Sequence, residues 1–162
     1  MKYSLIGTYS SQSIVKIITI SMLLFFLPST LLAEMLSVNG DKVNLRTGPG
    51  KGYKAKWEYG KGLPLMVIQR KGNWINVEDF EGDSGWIYKK LLFKKPQMVV
   101  KANRNKDKKI NIRKNPDLRA KIIGKAYYGV VFKTIEQKSG WVNVKHESGL
   151  EGWIKRSLLW GY

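Results

Sequence analysis

One short pattern constrains this chain more than any other, because it occurs twice. Trp74-Ile75-Asn76-Val77 is followed, after seven residues of turn-forming composition, by Gly85-Trp86-Ile87 and then by Leu91-Leu92. A shift of 67 residues gives Trp141-Val142-Asn143-Val144, a second seven-residue turn, Gly152-Trp153-Ile154 and Leu158-Leu159. The same shift carries Asn44, Arg46, Pro49 and Gly62 onto Asn111, Arg113, Pro116 and Gly129 without a gap, and 16 of the 50 pairs between 43–92 and 110–159 are identical. Self-similarity at a fixed period means one supersecondary unit built twice. Units of about 60 residues bury only about 60% of their unfolded surface, so each is marginal alone and gains by docking on the other.

The local pattern is that of strands. In Val43-Asn44-Leu45-Arg46 and Ile110-Asn111-Ile112-Arg113, apolar residues alternate with polar ones, which places Val43 and Leu45 on a buried face. Thr47 to Gly52 forces a long turn, after which Ala55, Trp57 and Tyr59 alternate along an extended piece. Leu63 to Ile68 and Val130 to Ile135 form a third strand in each copy. Pro64 cannot donate to a ladder, so that end is expected at an edge or a bulge. Trp74 to Val77 and Gly85 to Tyr88 supply the fourth and fifth strands, and no segment after residue 33 sustains a helical period. The fold class is therefore all-β, two small barrels or sandwiches in tandem. Phe93 to Gln97 is the candidate linker, and the second copy carries an extra, mostly basic loop within Ala102 to Lys109.

Residues 1–33 read as an export signal: a polar start with Lys2, an apolar run, Pro28, and Ser29 to Ala33 before Glu34. Cleavage after Ala33 leaves a first domain at 35–95 and a second at 96–162 in the periplasm or outside the cell. An uncleaved leader would instead anchor the chain in the inner membrane. Export removes nucleic acid from the natural partners in spite of a net charge of +17. It leaves cell-wall peptide or glycan, an envelope protein, or an anionic membrane surface.

The residues Val-Asn-Leu-Arg-Thr-Gly-Pro-Gly at 43–50, Trp74, and Gly-Trp-Ile with Leu-Leu at 85–92 resemble the bacterial SH3-like domain. The tandem arrangement ending in Leu159-Trp160-Gly161 is similar to exported members of that group. The resemblance implies small five- or six-stranded barrels that bind peptides or cell-wall material and accompany enzymes rather than catalyse. The eukaryotic relative has a Tyr-lined polyproline groove and an acidic first loop. This chain has Tyr88 and Leu91, or Lys155 and Leu158, at the former, and Lys51, Lys54 and Lys56 in the latter. Recognition of proline-rich peptides in the usual manner is therefore not expected.

Candidate chemistry narrows to aromatic and basic residues. The chain has no cysteine and a single histidine, His146, so a metal site would need carboxylates. The acidic run Glu78, Asp79, Glu81 and Asp83 is lost in the second copy and reads as a hairpin tip. Thr47 to Gly52 lacks the Gly-Lys-Ser/Thr ending and following helix of a phosphate loop and reads as a turn. No nucleophile has a base held by a third group, so no enzyme, metal or cofactor is expected. Trp86 and Trp153, shared by both copies, are expected to be structural, whereas Trp74 and Trp141 lie opposite the core-facing Ile75 and Val77 or Val142 and Val144. Trp57 and Tyr59 are replaced by Gly124 and Ala126 in the second copy, and Lys54 and Lys56 stand beside them. Copy-specific rings flanked by Lys suit a sugar face or a carboxylate-bearing peptide, which makes Trp57, Tyr59, Lys54 and Lys56 the first candidates. Trp74, Tyr88, Tyr127, Tyr128 and Trp141 complete the set of candidate contacts.

Overall fold

The computed structural model describes residues 33–104 and 107–162, so the leader lies outside the described residues. The first copy consists of β1 (Met35–Val38), β2 (Val43–Arg46), β3 (Ala55–Tyr59), β4 (Pro64–Lys71), β5 (Trp74–Glu78), β6 (Ser84–Tyr88) and β7 (Leu92–Phe93). The second has β8 (Gln97–Val100), β9 (Ile110–Arg113), β10 (Ile122–Ala126), β11 (Val131–Lys138), β12 (Trp141–Lys145), β13 (Glu151–Lys155) and β14 (Leu159–Gly161). Each copy forms one antiparallel sheet, in the orders β3-β2-β6-β5-β4-β1-β7 and β10-β9-β13-β12-β11-β8-β14. The halves thus share one topology, strand for strand.

The expectation of barrels needs correction in one respect. β3 and β7 are the two ends of the first sheet and β10 and β14 those of the second, so neither sheet closes into a hydrogen-bonded barrel. All seven strands of the first copy nevertheless contribute to one core, from Leu36 on β1 to Leu92 on β7. A single sheet can do that only by curling over itself. Alternation is obeyed in the inner strands: Val43, Leu45, Ile75, Val77 and Ile87 are buried, while Asn44, Arg46, Asn76 and Trp86 face outward. Trp86 and Trp153 are accordingly half-buried on the outer face and are not core residues. Pro64 is not at a sheet edge. It opens β4 in the sheet interior, opposite Ser37, and the first position of a strand tolerates proline. The bulge comes further on, between Val67 and Gln69, and recurs between Thr134 and Glu136; the extra residues are Ile68 and Ile135, both exposed.

Gly85 and Gly152 are fixed by packing. A Cβ on Gly85 would lie 2.7 Å from the Arg46 carbonyl oxygen and 2.7 Å from Leu45 Cγ, and one on Gly152 would lie 2.8 Å from the Arg113 carbonyl oxygen. Only a residue without a side chain lets β6 cross β2 at that distance, which accounts for the Gly of both Gly-Trp-Ile triplets.

The two cores are filled differently at one place. In the first, Tyr59 and Leu65 are buried and the Tyr59 hydroxyl donates to Asp79 Oδ2 at 2.7 Å. Asp79 Oδ1 accepts the N–H groups of Glu81 and Asp83, at 2.9 Å each. At the corresponding positions the second core has Ala126, Phe132 and His146, with the Phe132 and His146 rings 5.5 Å apart in an edge-to-face arrangement. The volume lost from Tyr59 to Ala126 is returned from Leu65 to Phe132. Tyr59, at 8% exposure, is therefore a core residue rather than a ligand contact.

The halves dock into one compact unit, Ala33–Tyr162. The β5–β6 turn of the first copy meets the second, with Phe80 and Tyr128 rings 5.3 Å apart, the Tyr128 hydroxyl donating to Glu81, and Arg104 pairing with Glu81 at 3.3 Å. Arg104, shortly after β8, is thus tied to the first copy. At the C-terminus the Tyr162 hydroxyl donates to the Met35 carbonyl. The linker is fixed from both sides: Ser37 Oγ donates to the Lys95 carbonyl and the Thr134 N–H to that of Pro96, both at 3.0 Å.

Two outcomes follow for the core. Tyr59→Ala should cost about 3–5 kcal/mol in denaturant unfolding, and adding Leu65→Phe should recover part of the loss, a non-additivity that a double-mutant cycle measures. Burial, then the hydrogen bond to Asp79, raises the Tyr59 pKa above its ordinary 10.0. The unfolded tyrosine ionises near pH 10 while the folded one does not, so this contribution to stability is complete below pH 10 and drains away as pH rises towards the folded value. Tyr59→Phe should lower stability at pH 8 by about 1.5–3 kcal/mol and flatten the decline between pH 9 and 11, read from urea midpoints.

Candidate functional site

β3 is an edge strand that is buried only at its last residue, Tyr59. Trp57 stands opposite Leu45 in the register, yet Leu45 is fully buried and the indole is 52% exposed. The ladder is bulged here, since Leu45 pairs with Trp57 but Arg46 with Ala55, leaving Lys56 as the extra residue. The preceding loop is stapled by Arg46, whose Nη1 donates to the Tyr53 carbonyl at 2.8 Å; Arg113 makes the same bond to Ala120. The Tyr53 ring lies over Gly48, where a Cβ would come within 2.4 Å of it. The glycine of Thr47 to Gly52 therefore serves ring packing, in keeping with a turn.

These features leave an open cavity of about 350 Å³ lined by Thr47, Lys54, Ala55, Lys56, Trp57 and Asp83. It brings together three of the candidates, Trp57, Lys54 and Lys56. Lys56 Nζ donates to the Ser84 carbonyl at 2.8 Å and lies 3.8 Å from Asp83 Oδ1, so it is oriented from the β5–β6 turn. Thr47 and Asp83 were missed by sequence reasoning. The sequence pattern puts Asp83 at a hairpin tip, and only the pairing of β2 with both β3 and β6 brings that tip beside Lys56. A flat indole, ammonium groups and one carboxylate can hold a ligand that carries both charges on an apolar frame.

The equivalent place in the second copy is lined by aliphatic groups. Gly124 stands where Trp57 was, and Leu150, the counterpart of Asp83, packs so closely on it that a Cβ there would be 2.6 Å from Leu150 Cδ2. Ile123 replaces Lys56 and reaches Gly152. Aliphatic groups thus fill the position that is open and charged in the first copy.

The other candidates lie elsewhere. Trp74 and Tyr88 are register partners on the outer face, with rings 5.6 Å apart edge to face. Trp141 is half-buried opposite Lys155. Tyr127 is exposed, with Lys109 Nζ 4.4 Å from its ring centre. Tyr128 is engaged between the halves, where desolvation and then its bond to Glu81 push its pKa up to about 12. Among the described residues no three His, Asp or Glu side chains are grouped to hold a metal ion.

YrvJ of Bacillus subtilis, which bears the name of an N-acetylmuramoyl-L-alanine amidase, is 28% identical to this chain over 125 residues, 74% of the chain and 24% of YrvJ. The chain thus spans about a quarter of that relative's length. Among solved structures, an NlpC/P60 family protein from Bacillus cereus is 15% identical over 80% of this chain and 56% of its own, with a TM-score of 0.37. NlpC2 from Trichomonas vaginalis is 12% identical over 82% of this chain and 49% of its own, with a TM-score of 0.34. Scores that low add nothing to the assignment. The profile of the bacterial SH3 domain matches twice, over residues 39–94 and 106–161, on the two halves that share one strand order. The chain belongs to the bacterial SH3 domain family and carries its domain in tandem.

Proposed function

We propose that this protein is a non-catalytic, exported binding module that holds peptidoglycan through its stem peptides, using the cavity beside Trp57. The observation that carries the reading is the asymmetry between the copies: indole, Lys54, Lys56 and Asp83 surround an open recess in one, and Gly124, Ile123 and Leu150 occupy that place in the other. An exposed indole beside charged groups in one copy, where the other has aliphatic packing, supports a ligand site in the first. Cell-wall peptides carry free carboxylates and amines on short aliphatic side chains, and the recess offers an ammonium, a carboxylate and a flat apolar face. The name of the amidase relative supports a cell-wall setting, and residues 1–33 support export to it.

Sedimentation with purified sacculi tests this. Wild type should co-sediment at physiological salt, Trp57→Ala should weaken binding tenfold or more, and Lys54→Gln should weaken it less. Soluble stem peptides should compete. Failure of wild type to sediment, or equal binding by wild type and Trp57→Ala, would reject the site. A single defined protein adduct on crosslinking in cells would replace the reading by that of an envelope adaptor.

A further inference from the structure

A second cavity, of about 660 Å³, lies apart from the one beside Trp57. It lies between the two halves, and both contribute to it. Lys61 comes from the first copy, Lys95 from the linker, and Lys133, Lys145 and His146 from the second, with Glu147 the one carboxylate among its walls. Phe93, Val130 and Val131 supply an apolar wall.

Part of this charge is particular to the second copy. At the places corresponding to Lys133, Lys145 and His146 the first copy has Met66, Glu78 and Asp79. These scaffold positions are thus neutral or acidic in the first copy and carry lysine or imidazole in the second, where they line the cleft. Among the described residues, no carboxylate is within ion-pair distance of Lys61, Lys95 or Lys133; Lys145 has Glu151 at 3.7 Å. Lys95 Nζ is 5.2 Å from the centre of the Phe93 ring, and its carbonyl is pinned by Ser37. His146 Nδ1 accepts the Ser148 N–H at 3.2 Å and lies 2.8 Å from Ser148 Oγ. That leaves Nε2 as the donor of a ring on the cleft wall.

We propose that this cleft binds a phosphate ester carried on a sugar or polyol. Several ammonium groups and an imidazole N–H outnumber what the two oxygens of one carboxylate can accept. They match the oxygens of a phosphate monoester or of successive phosphodiesters. The apolar wall takes the carbon frame, and the volume falls within the range of small-molecule sites, about 300–1,000 Å³. The site is independent of the stem-peptide reading and shares no residue with the Trp57 cavity.

The test is titration of the full chain with sn-glycerol 3-phosphate, with a short poly(glycerol phosphate), and with vesicles containing phosphatidylglycerol. Binding is followed by calorimetry and by NMR of the imidazole and the lysine side chains. Saturable binding with shifts at His146, Lys61 and Lys133 is expected. Lys61→Gln/Lys133→Gln should weaken it at least tenfold, whereas Lys89→Gln/Lys90→Gln, which removes the same charge from a surface outside the cleft, should change it less than twofold. The soluble esters and the vesicles separate a free polymer from a lipid headgroup as the source. Equal weakening by both double variants, or shifts confined to Lys54 and Lys56, would overturn the assignment. So would the absence of saturation with all three probes. Trp57→Ala should leave this binding unchanged, so a failure here and a failure at the Trp57 cavity are told apart.

Discussion

Each half depends on a single crossing. β2 meets β6 at one register pair, Arg46 with Trp86 in the first copy and Arg113 with Trp153 in the second. That pair joins the β2–β3 hairpin to the β4–β5–β6 meander, and without it neither core would have a wall on that side. The approach is possible because Gly85 and Gly152 bring no Cβ against the carbonyl of the facing arginine. The same arginines turn their guanidinium groups to the following loop and hold its far end. One close contact therefore sets both the closure of the core and the position of the edge strand that bears Trp57.

The repeat, the alternation in β2 and β5, and the Gly-Trp-Ile triplets made the fold legible, because each is a local pattern with a period. Trp74 could be placed on the outer face for the same reason. Tyr59 could not be read correctly. Its absence from the second copy looked like freedom from the core, but the core had exchanged Tyr59 and Leu65 for Ala126 and Phe132, a trade between strands that no local pattern reveals. Tyr128, a candidate contact in the sequence, meets Glu81 of the other half, a pairing of an aromatic in one copy with an acidic turn in the other that no local pattern carries. Openness of the sheet was equally invisible: alternation says which face is buried, not whether the end strands pair. The lysines of the cleft are scattered from Lys61 to Lys145, and only docking gathers them.

Duplication has left the two copies with the same scaffold and different surfaces. Substitutions in the core come in compensating sets, as at Tyr59, Leu65 and Asp79. Those at the periphery change the chemistry outright, from indole to glycine at Trp57 and from carboxylate to leucine at Asp83. A curled sheet tolerates this because its strands are held by backbone pairing and an inner row of aliphatic side chains, which leaves edge and outer positions free to diverge.

The linker adds a mechanical property. With the Lys95 carbonyl tied to one half and that of Pro96 to the other, the segment from 94 to 96 works less as a tether than as a weld. The recess beside Trp57 and the cleft that the two halves share are thereby tied to one frame. For the two sites proposed above, the distance between them becomes a length that a single polymer bound at both would have to match.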